Sequence, residues 1–300
     1  MQSLSIHLTD QCNNSCKFCV VDSYQGAKEK VNLKVVYNYL KNNADKGYER
    51  VNLHGGEPTI IPEFFEVLQF INEFNYKYIT LQTNARALSD MEFAKRVVDL
   101  GVNLFVVSVH GKDAEQHDFL TTAPGGYQEA IQGITNVIKL GAKVRTNTVV
   151  CKQNKDDLVE IVEKCMDLGC NHINISGMHP TGKAFKNYDL VTPKYTEVVN
   201  QIKNAVDAVS KRGVACTIEG IPLCLLDGYL DYLINWEEEQ FKLLFRNTIL
   251  ENYDTFMKNV ERKAGEKCKA CSLLSKCGGV YKEYLKFNDW SEFNPVISKE

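Results

Sequence analysis

The chain has 300 residues, of which 44% are hydrophobic and 24% charged, and its formal net charge is −3. That length suits one large domain, or one domain with a small appendage, and the apolar content is enough for a substantial core. The charge gives no electrostatic footprint for nucleic acid, the longest apolar runs (such as 104–109) are strand-sized rather than membrane-spanning, and no basic-then-apolar secretory signal opens the sequence.

In chain order, β-type segments are predicted at 4–8, 50–53, 78–82, 103–109, 143–150 and 172–176. The stretches between them carry helical periodicity. Tyr127, Ala130, Ile131, Ile134, Val137 and Ile138 share one face, as do Leu158, Val159, Ile161, Val162, Cys165, Met166 and Leu168. Strands alternating with amphipathic helices read as βα units around a parallel sheet. Six units fit before residue 180 or so, fewer than the eight of a closed barrel. The expected fold is therefore α/β, a partial (β/α)6 TIM-like barrel. Beyond it, 180–193 reads as a polar loop, 195–212 as a helix and 214–219 as a short strand, while 229–260 shows no strand–helix alternation. The expected division is 1–200 for the barrel and 201–300 for a small C-terminal α+β extension.

Eleven cysteines stand out. An odd count in tight clusters, with no secretory signal, points to metal binding in a reducing cytoplasm rather than to disulfides. Cys12, Cys16 and Cys19 follow directly on the first predicted strand, and three thiolates within eight residues can wrap one metal centre from a loop. On a four-iron cube they would leave one iron without a protein ligand, open to a substrate or cofactor. A closed zinc site using His7 or Asp10 is the competing reading of the same spacing.

The CxxxCxxC pattern after strand one, with Phe18 before the third cysteine, resembles the signature of the radical S-adenosylmethionine (SAM) family. Gly55-Gly56-Glu57-Pro58, just after the second predicted strand, is similar to that family's GGEP motif. The resemblance covers roughly residues 4–180. It implies a 4Fe–4S cluster whose open iron is chelated by SAM, and reductive cleavage of SAM to methionine and a 5′-deoxyadenosyl radical that abstracts hydrogen from a substrate. It also implies that Gly55, Gly56, Glu57 and Pro58 hold the methionyl amine, with Glu57 and nearby carbonyls accepting from it. Ser108 and Asn147 are expected to contact SAM or substrate. Thr83 and Asn84 are balanced between that role and local backbone bonding. No histidine among His54, His110, His117 and His179 is assigned a catalytic role, and the catalytic group is not identified.

Cys268, Cys271 and Cys277 form a second dense cluster, with Cys224 upstream and Cys216 competing with it as fourth ligand. Cys224 is preferred, because Pro222 and Gly228 suggest a structured turn. The pattern resembles the shorter, twitch-type relative of a SPASM extension, with one auxiliary 4Fe–4S cluster; Tyr281 stands where the longer pattern has a further cysteine. A zinc knuckle is the alternative. Cys151, Cys165 and Cys170 read as packing residues.

The same resemblance implies a cytoplasmic enzyme served by an external electron donor such as flavodoxin or ferredoxin. The expected substrate is a ribosomally made precursor peptide, which would be cross-linked, epimerised or excised. A separate leader-recognition protein, or a direct groove, would capture its leader, since the first strand begins near residue 4. A small-molecule radical dehydrogenase is the alternative within the class, and a non-catalytic zinc or electron-transfer protein the alternative outside it. No nucleic-acid or membrane partner is expected.

Overall fold

The six predicted strands form where the sequence places them: β1 (Ser3–His7), β2 (Arg50–His54), β3 (Tyr78–Thr83), β4 (Val102–Ser108), β5 (Lys143–Val149) and β6 (His172–Ser176). These come from a computed structural model that describes residues 2–24, 32–234, 241–246 and 248–297. Helices α1 (Leu33–Lys41), α2 (Phe64–Asn72), α3 (Met91–Asp99), α4 (Ala114–Thr121), α5 (Gly126–Lys139) and α6 (Leu158–Asp167) connect them. Local chemistry fixes several starts. The Asp90 carboxylate accepts from the Glu92 and Phe93 amides at the head of α3, and Asp113 does the same for Gln116 in α4.

The sheet is larger than expected. Its order is β7-β6-β5-β4-β3-β2-β1-β8-β9, with β7 (Ala215–Glu219) beside β6 and β8 (Phe241–Phe245) beside β1, both parallel. β9 (Thr248–Leu250) returns antiparallel on β8. From β1 to β7 strands adjacent in sequence are adjacent in space, β8 returns to the far side of β1, and the edges, β7 and β9, do not meet, which is the open partial barrel anticipated. The six units expected before residue 180 are present, the strand read at 214–219 joins them as β7, and β8 makes eight parallel strands. The segment 229–260, read as showing no strand–helix alternation, supplies β8 and β9. Phe241-Lys242-Leu243-Leu244-Phe245 is a short apolar run that periodicity alone cannot classify, and its partner lies at the other end of the chain. The sheet thus continues past residue 200.

Alternation along the strands separates two faces. Leu4 and Ile6, Val51 and Leu53, Leu81, Phe105 and Val107, Val144, Ile173 and Ile175, and Ile218 are buried in one core with Val36, Leu40, Val67, Ile71, Val97, Ile134, Val137 and Ile161 of the helices. The opposite, inner face is polar and mostly half-buried: Asn52 and His54, Ser108, Arg145 and Asn147, Thr217 and Glu219. Parallel strands buried on both faces would be apolar throughout; here the inner face is built to meet water or a ligand.

Two smaller expectations change. Val159, assigned to the apolar face of its helix, is exposed. The stretch 180–193 is not a loop but holds two short helices, α7 (Gly182–Lys186) and α8 (Tyr188–Val191), which bury Ala184, Tyr188 and Val191. Four or five residues are too few to show a helical period. α9 (Tyr195–Lys211) then crosses to β7. The C-terminal part holds α10 (Tyr253–Phe256), a π-helical turn at Met257–Glu261, and β10 (Arg262–Lys263) paired antiparallel with β11 (Val280–Tyr281); α11 (Leu274–Cys277) lies between those strands. Among the described residues no helix is long and apolar enough to cross a membrane.

Candidate active site

The loop after β1 carries Cys12, Cys16 and Cys19, and its shape is fixed from several sides. The Ser15 and Lys17 amides donate to the Thr121 and Leu120 carbonyls, 3.0 and 2.9 Å away at the end of α4. Arg86 donates to the Asn13 carbonyl (2.8 Å) and the Asn14 side chain (3.0 Å). Lys183 on α7 donates to the Ser15 hydroxyl (2.7 Å) and the Ser23 carbonyl (2.9 Å). Phe18 is buried with Leu120, Cys151, Met178, Ala184 and Val191, which explains an aromatic before the third cysteine.

The three thiols lie close enough to act on one another. Burial pushes the Cys12 thiol up to about 12, with Glu57 and Cys19 adding to the effect. Burial also raises Cys16, reinforced by Cys19 and Cys12. Such thiols stay protonated unless a cationic centre takes their charge, as a metal does. Backbone amides already point at two of the sulfurs: Asn14 at Cys12 and Ser23 at Cys19, both at 3.4 Å. The donor set and its amide shell fit an iron–sulfur cluster.

The Gly-Gly-Glu-Pro turn packs on the chain that leads into the cysteine loop. The close approach its glycines permit is to the chain itself. A Cβ on Gly55 (φ +150°) would stand 2.5 Å from the Thr9 carbonyl oxygen, and one on Gly56 would stand 2.1 Å from that of Gln11. In the space gained, the Gly56 and Glu57 amides donate to Thr9 and Gln11 at 2.6 and 2.7 Å. The turn is therefore stitched to the residues that lead into Cys12. The Glu57 carboxylate is fully buried and accepts from the Thr59 amide (3.1 Å), the Thr59 and Thr83 hydroxyls (2.7 Å each) and the Asn84 amide (2.7 Å). These bonds join the turn to the end of β3. Thr83 and Asn84, left balanced by sequence, are partners in that joint. Pro58 opens the single 3-10 turn Pro58–Ile60.

Ser108 and Asn147 sit opposite one another in the β4–β5 register, on the inner face. Asn147 Oδ1 accepts from Asn174 Nδ2 and Ser176 Oγ, each at 2.7 Å, and Asn174 Nδ2 also donates to Glu219 Oε1 at 2.9 Å. The Ser176 hydroxyl also lies against that Glu219 oxygen and shares its one proton between the two acceptors. Sequence reading missed Asn174, Ser176 and Glu219. Their polarity at alternate positions was the available signal, but bringing them together needs the β5–β6–β7 register. Of the histidines, burial lowers His54 to about 3 and His117 to about 4, and depresses His110 as well, so these three remain neutral.

The second cysteine set also converges. Cys224, Cys268, Cys271 and Cys277 line one cavity of about 460 Å³, open to solvent on one side, together with Leu223's neighbour Pro222, Leu274, Val280 and Trp290. Burial raises Cys224 to about 11, with Cys277, Cys271 and Cys268 adding to it. The Leu223 amide points at the Cys277 sulfur (3.5 Å) and the Val296 amide at that of Cys271 (3.3 Å). Cys216 stands on β7 and does not line this cavity.

Residues 6–165, more than half of the chain, match the family model described as the radical SAM superfamily. The chain belongs to the radical SAM superfamily. It is accordingly an enzyme of the SAM-dependent, iron–sulfur type. Similar curated proteins include the probable GTP 3',8-cyclase of Saccharolobus islandicus, 28% identical over 193 residues, or 63% of this chain and 62% of the relative. The corresponding protein of Sulfurisphaera tokodaii is 24% identical over 213 residues, 71% and 67% of the two chains. The chain thus spans about three fifths of the length of the first of these relatives. Among solved structures, Streptococcus suis SuiB bound to S-adenosylmethionine superposes with a TM-score of 0.71 at 18% identity, covering 98% of this chain and 76% of SuiB. Native anSMEcpe with bound AdoMet and the Cp18Cys peptide gives 0.68 at 17%, covering 98% and 92%. At these identities the likeness shows that this radical SAM enzyme shares their fold.

Proposed function

We propose that Cys12, Cys16 and Cys19 hold the SAM-binding 4Fe–4S cluster, and that Cys224, Cys268, Cys271 and Cys277 hold an auxiliary 4Fe–4S cluster in a twitch-type region over residues 201–300. When bound, the first cluster supplies the electron that splits SAM and so generates a hydrogen-abstracting radical. The chain's own part is to hold the cysteine loop rigid through Arg86, Lys183 and the Gly55-Gly56 turn, and to aim the Asn14 and Ser23 amides at two sulfurs. Sulfur spacing supports clusters over single ions. Among the described residues no three cysteine sulfurs all lie within 4.8 Å of one another, whereas ligands on one tetrahedral zinc at 2.3 Å stand about 3.8 Å apart.

The substrate reading is a peptide, and one observation carries it: the charge at the C-terminal ends of the inner-face strands, where ligands bind in parallel α/β folds. The last inward residues of β1 to β8 are His7, His54, Gln82, Ser108, Val149, Ser176, Glu219 and Phe245, which include one carboxylate and no Lys or Arg; the inner-face Arg145 lies four residues before Val149, toward the other end of β5. Loop cations around the cysteine segment are spent on the protein: Arg86 on Asn13 and Asn14, Lys183 on Ser15 and Ser23, Arg246 on Asp10. A polyphosphate would require cations directed at it. Amides, hydroxyls and a lone carboxylate suit the donors and acceptors of a peptide backbone. The peptide-bound neighbours SuiB with SuiA and anSMEcpe, which span 98% of this chain, support the same reading. Ser108, Asn147, Asn174, Ser176 and Glu219 would then face SAM or the peptide. A cytoplasmic setting, an electron donor of the flavodoxin or ferredoxin kind and a separate leader-binding protein belong to this reading. A small-molecule substrate is the second reading, favoured by the GTP 3',8-cyclase relatives.

The test is to incubate cluster-loaded protein anaerobically with SAM, reductant and genetically neighbouring precursor peptides, in parallel with GTP and metabolite extracts, and to read products by mass. The peptide reading expects a peptide that has lost two hydrogens or a fragment, or that gains one mass unit when the reaction is run in D2O, as epimerisation would give, and no GTP turnover. Turnover of GTP or another small molecule with every peptide untouched would overturn it.

A further inference from the structure

Outside both cysteine sets, His179, Glu261 and Glu283 bring one imidazole nitrogen and two carboxylate oxygens within 4.8 Å of one another. They come from three separate places: the loop after β6, the end of the π-helical turn Met257–Glu261, and the residues just after β11. A π-helical turn is rare, and such turns recur at functional sites. His179 Nε2 and Glu261 Oε2 stand 3.5 Å apart. That is long for a hydrogen bond, but it matches the roughly 3.4 Å between two ligands held at 2.0–2.1 Å around a tetrahedral ion.

The second observation is orphaned polarity. Glu283 Oε2 is shut off from solvent without a hydrogen-bond partner, and His179 Nε2, equally shut off, has only the Glu261 oxygen at 3.5 Å. Leaving such atoms unbonded costs about 1–3 kcal/mol each, and native proteins rarely leave them so without an ion or water to meet them. The Tyr281 ring lies flat on His179, with centroids 4.1 Å apart and planes at 14°, which fixes the plane in which the imidazole presents its nitrogens. Lys286 reaches the other Glu283 oxygen only at 3.9 Å.

We propose that His179, Glu261 and Glu283 bind one divalent first-row transition ion, distinct from the iron of the cysteine sets. Imidazole with carboxylates favours ions such as Zn2+, Mn2+ or Fe2+; Ca2+ and Mg2+ prefer all-oxygen shells, and no thiolate is present to select softer metals. The ion's place in the fold gives it a role. It would tie the loop after β6, whose strand carries Asn174 and Ser176 on the inner face, to the β10–β11 hairpin that encloses Cys268, Cys271 and Cys277. The anchoring of that hairpin is already visible in Arg262, which donates to the Cys277 carbonyl at 2.8 Å. The ion would brace the second cysteine region against the mouth of the barrel.

Equilibrium dialysis of the cluster-loaded chain against micromolar Mn2+ and, separately, Zn2+, followed by metal analysis, tests this. The expected result is one equivalent of ion beyond the iron in at least one of the two dialyses, bound at least tenfold more weakly by the Glu261→Gln/Glu283→Gln variant, whose iron content is unchanged. If that variant loses iron, the single Glu283→Gln variant, which removes one charge and little volume, is judged by the same criterion. Retention of neither ion by the unaltered chain, or equal retention by the variant, would overturn the proposal.

Discussion

The Thr83 hydroxyl donates a 2.7 Å hydrogen bond to the buried Glu57 carboxylate, so the end of β3 holds the turn that in turn holds the approach to Cys12. Glu57 is thereby a structural keystone of the site. Glu57→Ala would leave the Thr59 and Asn84 amides and two hydroxyls without their acceptor and is expected to destabilise the fold by about 3 kcal/mol. Glu57→Gln would set an amide donor against the Asn84 N–H and lose somewhat less. Denaturant unfolding of both variants, read against the unaltered chain, checks the ranking.

Gly56→Ala places a methyl 2.1 Å from the Gln11 carbonyl oxygen, a backbone atom that cannot swing aside. The cysteine loop has to shift, and reconstituted protein should lose the iron of the first site while retaining that of the second. Gly228→Ala is the contrasting case: a Cβ there meets nothing within 4 Å, although its φ of +78° carries strain. Its iron content should stay whole. Iron and sulfide assays on both variants decide the point.

Cys224→Ala is expected to abolish the iron of the second site, and Cys216→Ala to leave it intact, since only Cys224 lines the cavity with Cys268, Cys271 and Cys277. Mössbauer spectra and iron counts of the two variants distinguish them. Equal losses would remove the assignment.

How much of this was legible in the sequence follows from the range of the interactions. The strands bearing Leu4, Val51, Leu81, Phe105, Val144 and Ile173 were legible, because alternation within five to seven residues is local information. The cysteine sets were legible for the same reason, apart from Cys224, which lies 44 residues before Cys268 and was chosen on turn chemistry. β8 was not legible, because Phe241–Phe245 gains its strand identity from β1 across the whole chain. Nor was the joint between Glu57 and the end of β3, because Thr83 and Asn84 reach it only after folding. The Asn147, Asn174 and Glu219 network exists only once three strands are in register.

Acid should weaken the protein before its carboxylates titrate. Burial lowers His54 to about 3 and His117 to about 4 from an ordinary 6.5, and lowers His110 too. Between those values the unfolded chain binds protons that the folded chain refuses. Stability is therefore full above about pH 6.5 and falls as pH drops toward 4, by up to about 1.4 kcal/mol per pH unit for each histidine. Urea midpoints measured from pH 7.5 to 4.5 would show the fall. His117→Gln, which keeps a hydrogen-bonding group without the titration, should make the fall shallower by that histidine's share, and an unchanged slope would count against the buried-histidine account.

The most direct test of the whole reading is the fate of SAM under strong anaerobic reduction. The reconstituted chain is expected to form 5′-deoxyadenosine, and the Cys12→Ala/Cys16→Ala/Cys19→Ala variant to form none while still folding and holding the iron of the second site. Intact SAM with the unaltered chain, or equal cleavage by the triple variant, would contradict it.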